Sequence, residues 1–391
     1  MHRLATCASA AAVALLLATQ AVGAWQRSDV PALPERVCLT WSSDPRTSQS
    51  VTWRTPPTTA SCTVQVTEAT SEPIAAPKAR DVPAVTSSVT QGGQPWSYHA
   101  ATMTELKPDT LYAYRVGDGK TWSAWFQFRT AAAKAEPFSF LYFGDAQHEI
   151  LSGWSRVVRQ AYATAPQARF MVHAGDIVDG GSDDAQWGEW FGGGGWIFAQ
   201  VPSLPAAGNH EHDVPGNRLT EHWNTQFRLP THGPGGVEGS CYYIDYQGLR
   251  VIVLNCVHHV AEQTKWLDDA LAGSPGRWAV VVLHYPVPST KELAENWMPV
   301  LARRKVDLVL QGHTHAYTRS KGGRAPVYIE SVSGPATGGK AQLFHVISVG
   351  SERLRFESRT ATGRLHDAFE LAKRPDGSAA VVEEASAPGP R

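Results

Sequence analysis

The chain has 391 residues, 42% hydrophobic and 18% charged, which is more than one hydrophobic core usually organises and an ordinary balance for a globular protein. Its 35 basic and 36 acidic residues leave a formal net charge of −1, so no basic field points to nucleic acid or an anionic membrane surface.

Residues 1–24 begin with His2 and Arg3, continue through an apolar segment at 10–18 and end on Val22-Gly23-Ala24. This pattern predicts a cleaved secretory signal and a secreted or periplasmic protein. The apolar segment is too short to span a bilayer and no second long apolar run follows, so stable membrane insertion is not expected. Cys7 precedes the apolar core, which argues against a lipoprotein-type anchor. Four cysteines remain, Cys38, Cys62, Cys241 and Cys256. Export permits pairing, and the local pairs Cys38–Cys62 and Cys241–Cys256 are the expectation, with four buried thiols as the other reading. Without a Cys-x-x-Cys element, structural zinc is not expected.

From 34 to 130 the chain reads as short strands between turn residues, at 37–41, 50–54, 62–67, 98–103, 112–116 and 124–129. Strands without helices predict an all-β sandwich. Nothing there has the residue types of a catalytic site, and Trp41, Trp53, Trp122 and Trp125 read as core packing rather than a sugar platform.

Residues 131–136 form a linker, and from 138 apolar strands alternate with helical stretches at 154–163, 263–272 and 292–303, the α/β pattern. Strands at 241–245 and 250–256 predict a hairpin about Gln247-Gly248. Late strands at 327–330, 343–349 and 353–357 suggest a second sheet. The expected division is a signal at 1–24, a sandwich at 34–130, an α/β domain at 137–373 and a disordered tail at 374–391, where Pro, Gly, Ala, Ser and Glu dominate. Gly192-Gly193-Gly194-Gly195 lacks the Lys-Ser or Lys-Thr of a phosphate loop and does not follow a strand, so it reads as a bend near the site.

Five short motifs each stand where an apolar strand stops, the place where open α/β sheets gather their sites. They are Gly144-Asp145-Ala146-Gln147, Gly175-Asp176-Ile177-Val178-Asp179, Gly208-Asn209-His210-Glu211, Val281-Val282-Leu283-His284 and Gln311-Gly312-His313-Thr314-His315. Any one alone would read as a turn or a core residue; the ordered set reads as a metal centre. Carboxylates, amide oxygens and imidazoles suit borderline or hard ions. Asp145, Gln147, Asp176, Asn209, His284, His313 and His315 are too many for one tetrahedral site and enough for two ions sharing a carboxylate. Two ions roughly 3.5–4 Å apart can clamp a phosphoryl group during in-line displacement.

This order of motifs resembles the calcineurin-like metallophosphoesterases over about 138–371. More narrowly, the chain is similar to the purple acid phosphatases, through the run from Gly312 to Arg319 and through Ser50-Val51-Thr52-Trp53 and Tyr114-Arg115-Val116-Gly117 in the preceding sandwich. The resemblance implies a fibronectin type III-like all-β sandwich followed by an α/β metallophosphoesterase domain with two packed mixed sheets flanked by helices. It implies that Asp176 bridges the ions, that Asp145 and His315 hold the first and Asn209, His284 and His313 the second, and that His210 is a catalytic acid near the leaving group. Two departures stand out: Asp179 replaces the family's iron-binding tyrosine, and Gln147 stands where another branch has histidine. Gln147 as an amide-oxygen ligand is a weak neutral donor, which favours manganese, zinc or ferrous iron over ferric iron. Tyr285 stands where purple acid phosphatases often carry another polar recognition residue. The function implied is a secreted phosphatase acting on small phosphate monoesters by attack of metal-activated hydroxide. A phosphodiesterase or pyrophosphatase with the same centre is the alternative, and a surface-binding protein with a structural metal the non-enzymatic one. No nucleic acid partner is indicated, and the oligomeric state is not legible.

Overall fold

The computed structural model describes residues 33–382, apart from 58–60, 75–77, 92–93, 213–217, 322 and 336–340. The expected signal lies outside the described residues. Among those described, no helix is long and apolar enough to cross a membrane.

Eight strands come first: β1 (Glu35–Thr40), β2 (Gln49–Thr55), β3 (Thr63–Glu68), β4 (Arg80–Pro83), β5 (Val85–Gln91), β6 (Gln94–Met103), β7 (Leu111–Gly117) and β8 (Phe126–Arg129). They form two antiparallel sheets, ordered β1-β2-β6-β5 and β4-β3-β7-β8. Period-two alternation sends Val37, Leu39, Val51 and Trp53 inward against Val64, Val66, Tyr112, Tyr114 and Val116. The opposite face of β1 and β2 is buried too, because it receives the α/β part. There Trp41 stacks on Tyr246 with ring centroids 5.3 Å apart, and the Thr40 and Thr52 hydroxyls donate to the carbonyls of Arg228 and Gln226, each at 2.6 Å. Trp41 and Trp53 are core residues as expected, but Trp122 and Trp125 are only half-buried and stack against the Arg115 guanidinium, 4.3 and 4.8 Å from their centroids.

The α/β part runs β9 (Phe138–Phe143), α1 (Ile150–Thr164), β10 (Met171–Ala174), α2 (Asp184–Gly194), β11 (Ser203–Ala206), α3 (Glu221–Gln226), β12 (Tyr242–Tyr246), β13 (Leu249–Val253), α4 (Val260–Ala272), β14 (Trp278–Val282), α5 (Lys291–Arg303) and β15 (Leu308–Gln311). Then follow β16 (Thr318–Arg319), β17 (Val327–Glu330), β18 (Leu343–Val349), β19 (Arg353–Thr360), β20 (Leu365–Lys373) and β21 (Ala379–Val382). Two mixed sheets result, β11-β10-β9-β18-β19-β20-β21 and β12-β13-β14-β15-β17-β16. Val251, Val253, Val280, Val282, Leu308 and Leu310 face the main core between the sheets, while Ile252, Val281 and Val309 face Leu267, Leu293, Trp297 and Leu301 of α4 and α5. On the far side of the other sheet, Phe143 and His173 meet Trp154 of α1 and Trp190 of α2. The layers are therefore helix, sheet, sheet, helix.

Several expectations are corrected. The late strands do not form a sheet of their own: β17 joins the six-stranded sheet, and β18 and β19 extend the seven-stranded one through an antiparallel pairing of β18 with β9. Of the tail expected to be disordered, residues 379–382 form β21, which pairs with β20, and residues 383–391 lie outside the described residues. The four glycines do not bend near the site. They end α2, where Gly193 lies against Trp154 and Gly194 against the Phe198 ring, so their missing side chains permit close packing.

Neither expected disulfide is present; all four cysteines are free and buried. Cys38 faces the core shared with the α/β part, whereas Cys62 faces the sandwich's own core, 3.5 Å from His99 Nε2. In the hairpin, Tyr242 lies opposite Val253, which sets Leu254 rather than Cys256 across from Cys241. Cys256 Sγ instead accepts the Tyr285 N–H at 3.2 Å. Burial pushes the Cys38 and Cys256 thiols up to about 12.

Candidate metal centre

Loops at the C-terminal ends of five strands converge on one place. Asp145 stands two residues beyond β9, Asp176 two beyond β10, Asn209 three beyond β11, His284 two beyond β14, and His313 and His315 two and four beyond β15. The first three strands belong to one sheet and the last two to the other, so both sheets build the site.

Asp176 is its hub. Asp176 Oδ2 lies 2.9 Å from His284 Nε2, 3.3 Å from Gln147 Nε2 and 3.8 Å from His210 Nε2, while Oδ1 accepts the His210 N–H at 3.1 Å. His284 Nε2 is also 3.1 Å from Asn209 Oδ1, and Asp176, His284 and His313 offer ligand atoms within 4.8 Å of one another. On the other flank, His315 Nε2 lies 2.8 Å from Gln147 Nε2 and 3.6 Å from Asp145 Oδ1, and both Asp145 oxygens accept the His313 N–H, at 2.9 and 3.0 Å. All seven candidate ligands are thus brought together, as two groups that meet at Asp176.

The backbone is bent to achieve this. Asp176, His313 and His315 have φ of 48°, 79° and 51°, left-handed values that cost energy outside glycine and persist where the surroundings over-determine them. The glycines preceding ligands have a steric reason. A Cβ on Gly208 would lie 2.1 Å from Asp176 Oδ1, and one on Gly312 would lie 2.6 Å from Asp145 Oδ2.

The electrostatics call for positive charge. Burial pushes the Asp145 carboxyl up to about 7. His284 is raised as well, but against burial: burial alone would lower it, yet Asp176 and Asp145 lift it to about 9. A proton on His284 therefore offsets part of the carboxylate charge and must leave for a cation to bind there. His284 Nδ1 donates to the Ala174 carbonyl at 2.9 Å, which aims Nε2 at the cluster in the tautomer a metal ligand needs. Gln147 Oε1 is buried without a hydrogen-bond partner while its amino end points at Asp176 and His315. Turning the amide over would point that oxygen inward as a ligand. The donor set fits divalent metal ions.

One supporting residue was missed in the sequence. Glu211 is fully buried, and its carboxylate accepts the N–H groups of Asp176 at 2.9 Å, Ile177 at 2.8 Å and Gly208 at 2.7 Å, so it pins the two loops that carry Asp176 and Asn209. Only its place in the Gly-Asn-His-Glu run could have signalled this. Asp179 turns its carboxylate to His148, and its carbonyl accepts from His210 Nδ1 at 2.6 Å, leaving His210 Nε2 with Asp176 Oδ2 at 3.8 Å. Tyr285 packs against the His313 ring, 4.6 Å between centroids.

Two family models match the chain: the purple acid phosphatase N-terminal domain over residues 34–130 and the calcineurin-like phosphoesterases over 138–317. The chain therefore joins a purple acid phosphatase N-terminal domain to a calcineurin-like phosphoesterase domain. An uncharacterized protein of Mycobacterium tuberculosis is 27% identical over 56% of this chain and 50% of its own, so the chain spans about half the length of that relative. The Fe(3+)-Zn(2+) purple acid phosphatase 12 of Arabidopsis thaliana is 25% identical over 73% of this chain and 70% of its own. Among solved structures, a purple acid phosphatase from yellow lupin (Lupinus luteus) seeds shares the fold at 17% identity, with a TM-score of 0.75 over 88% of this chain and 75% of that one. PhoD shares it at 11% identity, with a TM-score of 0.66 over 91% and 93%.

Proposed function

We propose that the protein is an exported phosphatase that holds two metal ions and hydrolyses small phosphate monoesters. The observation that carries this reading is the arrangement of seven donors in two groups about Asp176, with Gln147 Oε1 buried and unpartnered beside them. Asp176 would be shared, Asp145, Gln147 and His315 would hold one ion, and Asn209, His284 and His313 the other. Such a pair would bring the pKa of a water held there down to about 7 and would offset charge on a phosphoryl group. Gln147 supplies no charge, and Asp179 is turned away to His148, which favours manganese, zinc or ferrous iron.

The chain's own groups do the rest. His210, held through Nδ1 by the Asp179 carbonyl, turns Nε2 toward the cluster, where it would give a proton to the departing oxygen. Glu211 keeps the loops of Asp176 and Asn209 in register. The phosphatase reading is supported by the likeness to a purple acid phosphatase, and export by the pattern of residues 1–24. Hydrolysis of nitrophenyl phosphate should vanish with chelator and return on adding manganese, zinc or ferrous iron, and bis(nitrophenyl) phosphate should turn over more slowly. Faster diester hydrolysis would make the phosphodiesterase reading correct, and activity indifferent to chelator would remove the metal from the mechanism.

A further inference from the structure

A second imidazole stands beside the cluster, and no role above uses it. His148 directly follows Gln147, and its ring centroid lies 5.3 Å from that of His315. His148 and Glu149 have φ of 66° and 45°, two consecutive left-handed residues just before α1. Asp179 fixes His148 from across the site: Oδ2 accepts its backbone N–H at 3.1 Å, and Oδ1 lies 2.5 Å from Nδ1. The carbonyl of the same Asp179 holds His210 Nδ1 at 2.6 Å. One residue therefore orients two imidazoles, each through Nδ1, and each keeps Nε2 for another partner. The His148 side chain is 42% exposed, whereas Asp145, Asp176 and His284 are buried, so it stands on the side from which a substrate arrives. Ordering a half-exposed side chain costs rotamer freedom and gains little from packing. A double tether on strained backbone suits a positioned contact better than a packing role.

We propose that His148 is a substrate-contacting residue whose Nε2 holds a non-bridging phosphoryl oxygen, and that Asp179 is its positioning residue, an inference that rests on the phosphatase reading above. His210, nearer to Asp176, serves the leaving-group oxygen; His148, beside His315, meets the phosphoryl group itself. No bond forms or breaks at His148.

The test reads binding of inorganic phosphate to the metal-loaded protein by calorimetry, which needs no turnover, alongside metal content and the kinetics of nitrophenyl phosphate hydrolysis. His148→Ala should weaken phosphate binding about ten-fold, the scale of a hydrogen bond to a charged group. It should raise KM by a similar factor with a smaller change in kcat and unchanged metal content. His148→Gln should recover part of the loss, and Asp179→Asn should fall between. Unchanged phosphate affinity in His148→Ala overturns the proposal, and so does loss of metal from that variant, which would make His148 a prop for the centre. Wild-type protein that binds phosphate through His148 yet hydrolyses no ester would instead overturn the phosphatase reading alone; wild-type protein that binds none overturns both.

Discussion

Asp179 shows how one side chain changes what the site can offer. A tyrosine there could reach an ion through its phenolate, but the shorter carboxylate bonds to His148, so the candidate donors are neutral amides, imidazoles and two aspartates. The candidate ligands were legible in the sequence because each follows a run of apolar residues that could only be a buried strand. Glu211 and the tether between His148 and Asp179 were not, since their partners are backbone N–H groups and side chains about thirty residues away, which no local pattern brings together. His210 carries the residue-scale prediction. Its Nε2 faces the cluster, 3.8 Å from Asp176 Oδ2, and general acid help is worth about 10²- to 10⁴-fold, most where the leaving group is too basic to depart alone. His210→Ala should therefore lose far more single-turnover rate on an alkyl phosphate than on nitrophenyl phosphate, with metal content near normal. Equal losses would assign His210 to phosphate binding, and lost metal would assign it to the ligands.

Helix α2 ties the sandwich to the loop that carries Asp179. Asp184, its first residue, takes Arg36 and Arg54 at 2.8 Å each, His222 Nε2 at 3.1 Å and the Tyr98 hydroxyl at 3.2 Å. Burial works against its charge, but hydrogen bonds from His222 and Arg54 and the charge of Arg36 hold the carboxyl well below the usual carboxylate range. A depressed folded value means that the stabilisation is fully present above the unfolded pKa of about 3.9 and is lost as pH falls through the folded value. Asp184→Asn should cost about 1–3 kcal/mol at pH 7, less than breaking a fully buried pair because Asp184 is 26% exposed. Thermal unfolding should show that gap closing below about pH 4; equal stability at pH 7 would mean that the network contributes nothing. Helices α1, α4 and α5 were legible from their periodicity, as 292–303 against Lys291–Arg303 shows, whereas α2 and α3 were not named. Strands β4, β5, β20 and β21 were not. β4, β5 and β21 lie at sheet edges, β5 is rich in Ser and Thr, β20 carries charges, and their existence is decided by distant partners. The disulfide expectation failed similarly, because proximity in sequence says nothing about which core a cysteine faces.

At the scale of the molecule, the centre depends on both sheets of the α/β part meeting correctly, since Asp176 comes from one and its 2.9 Å partner His284 from the other. The change from strand-only rhythm to alternating strands and helices at residue 138 made the two-part architecture legible. How the two sheets face each other followed from packing that no single segment encodes. The fold also leaves the substrate open, because specificity lies in side chains around the centre rather than in the sheets that carry it. What the account requires is a shared carboxylate between two ions. The most direct measurement is metal stoichiometry and turnover of wild-type protein beside Asp176→Asn, with folding checked by circular dichroism. Two ions per wild-type chain are expected, and in the variant fewer ions with little activity. Full occupancy of both sites and a normal rate in Asp176→Asn would contradict it.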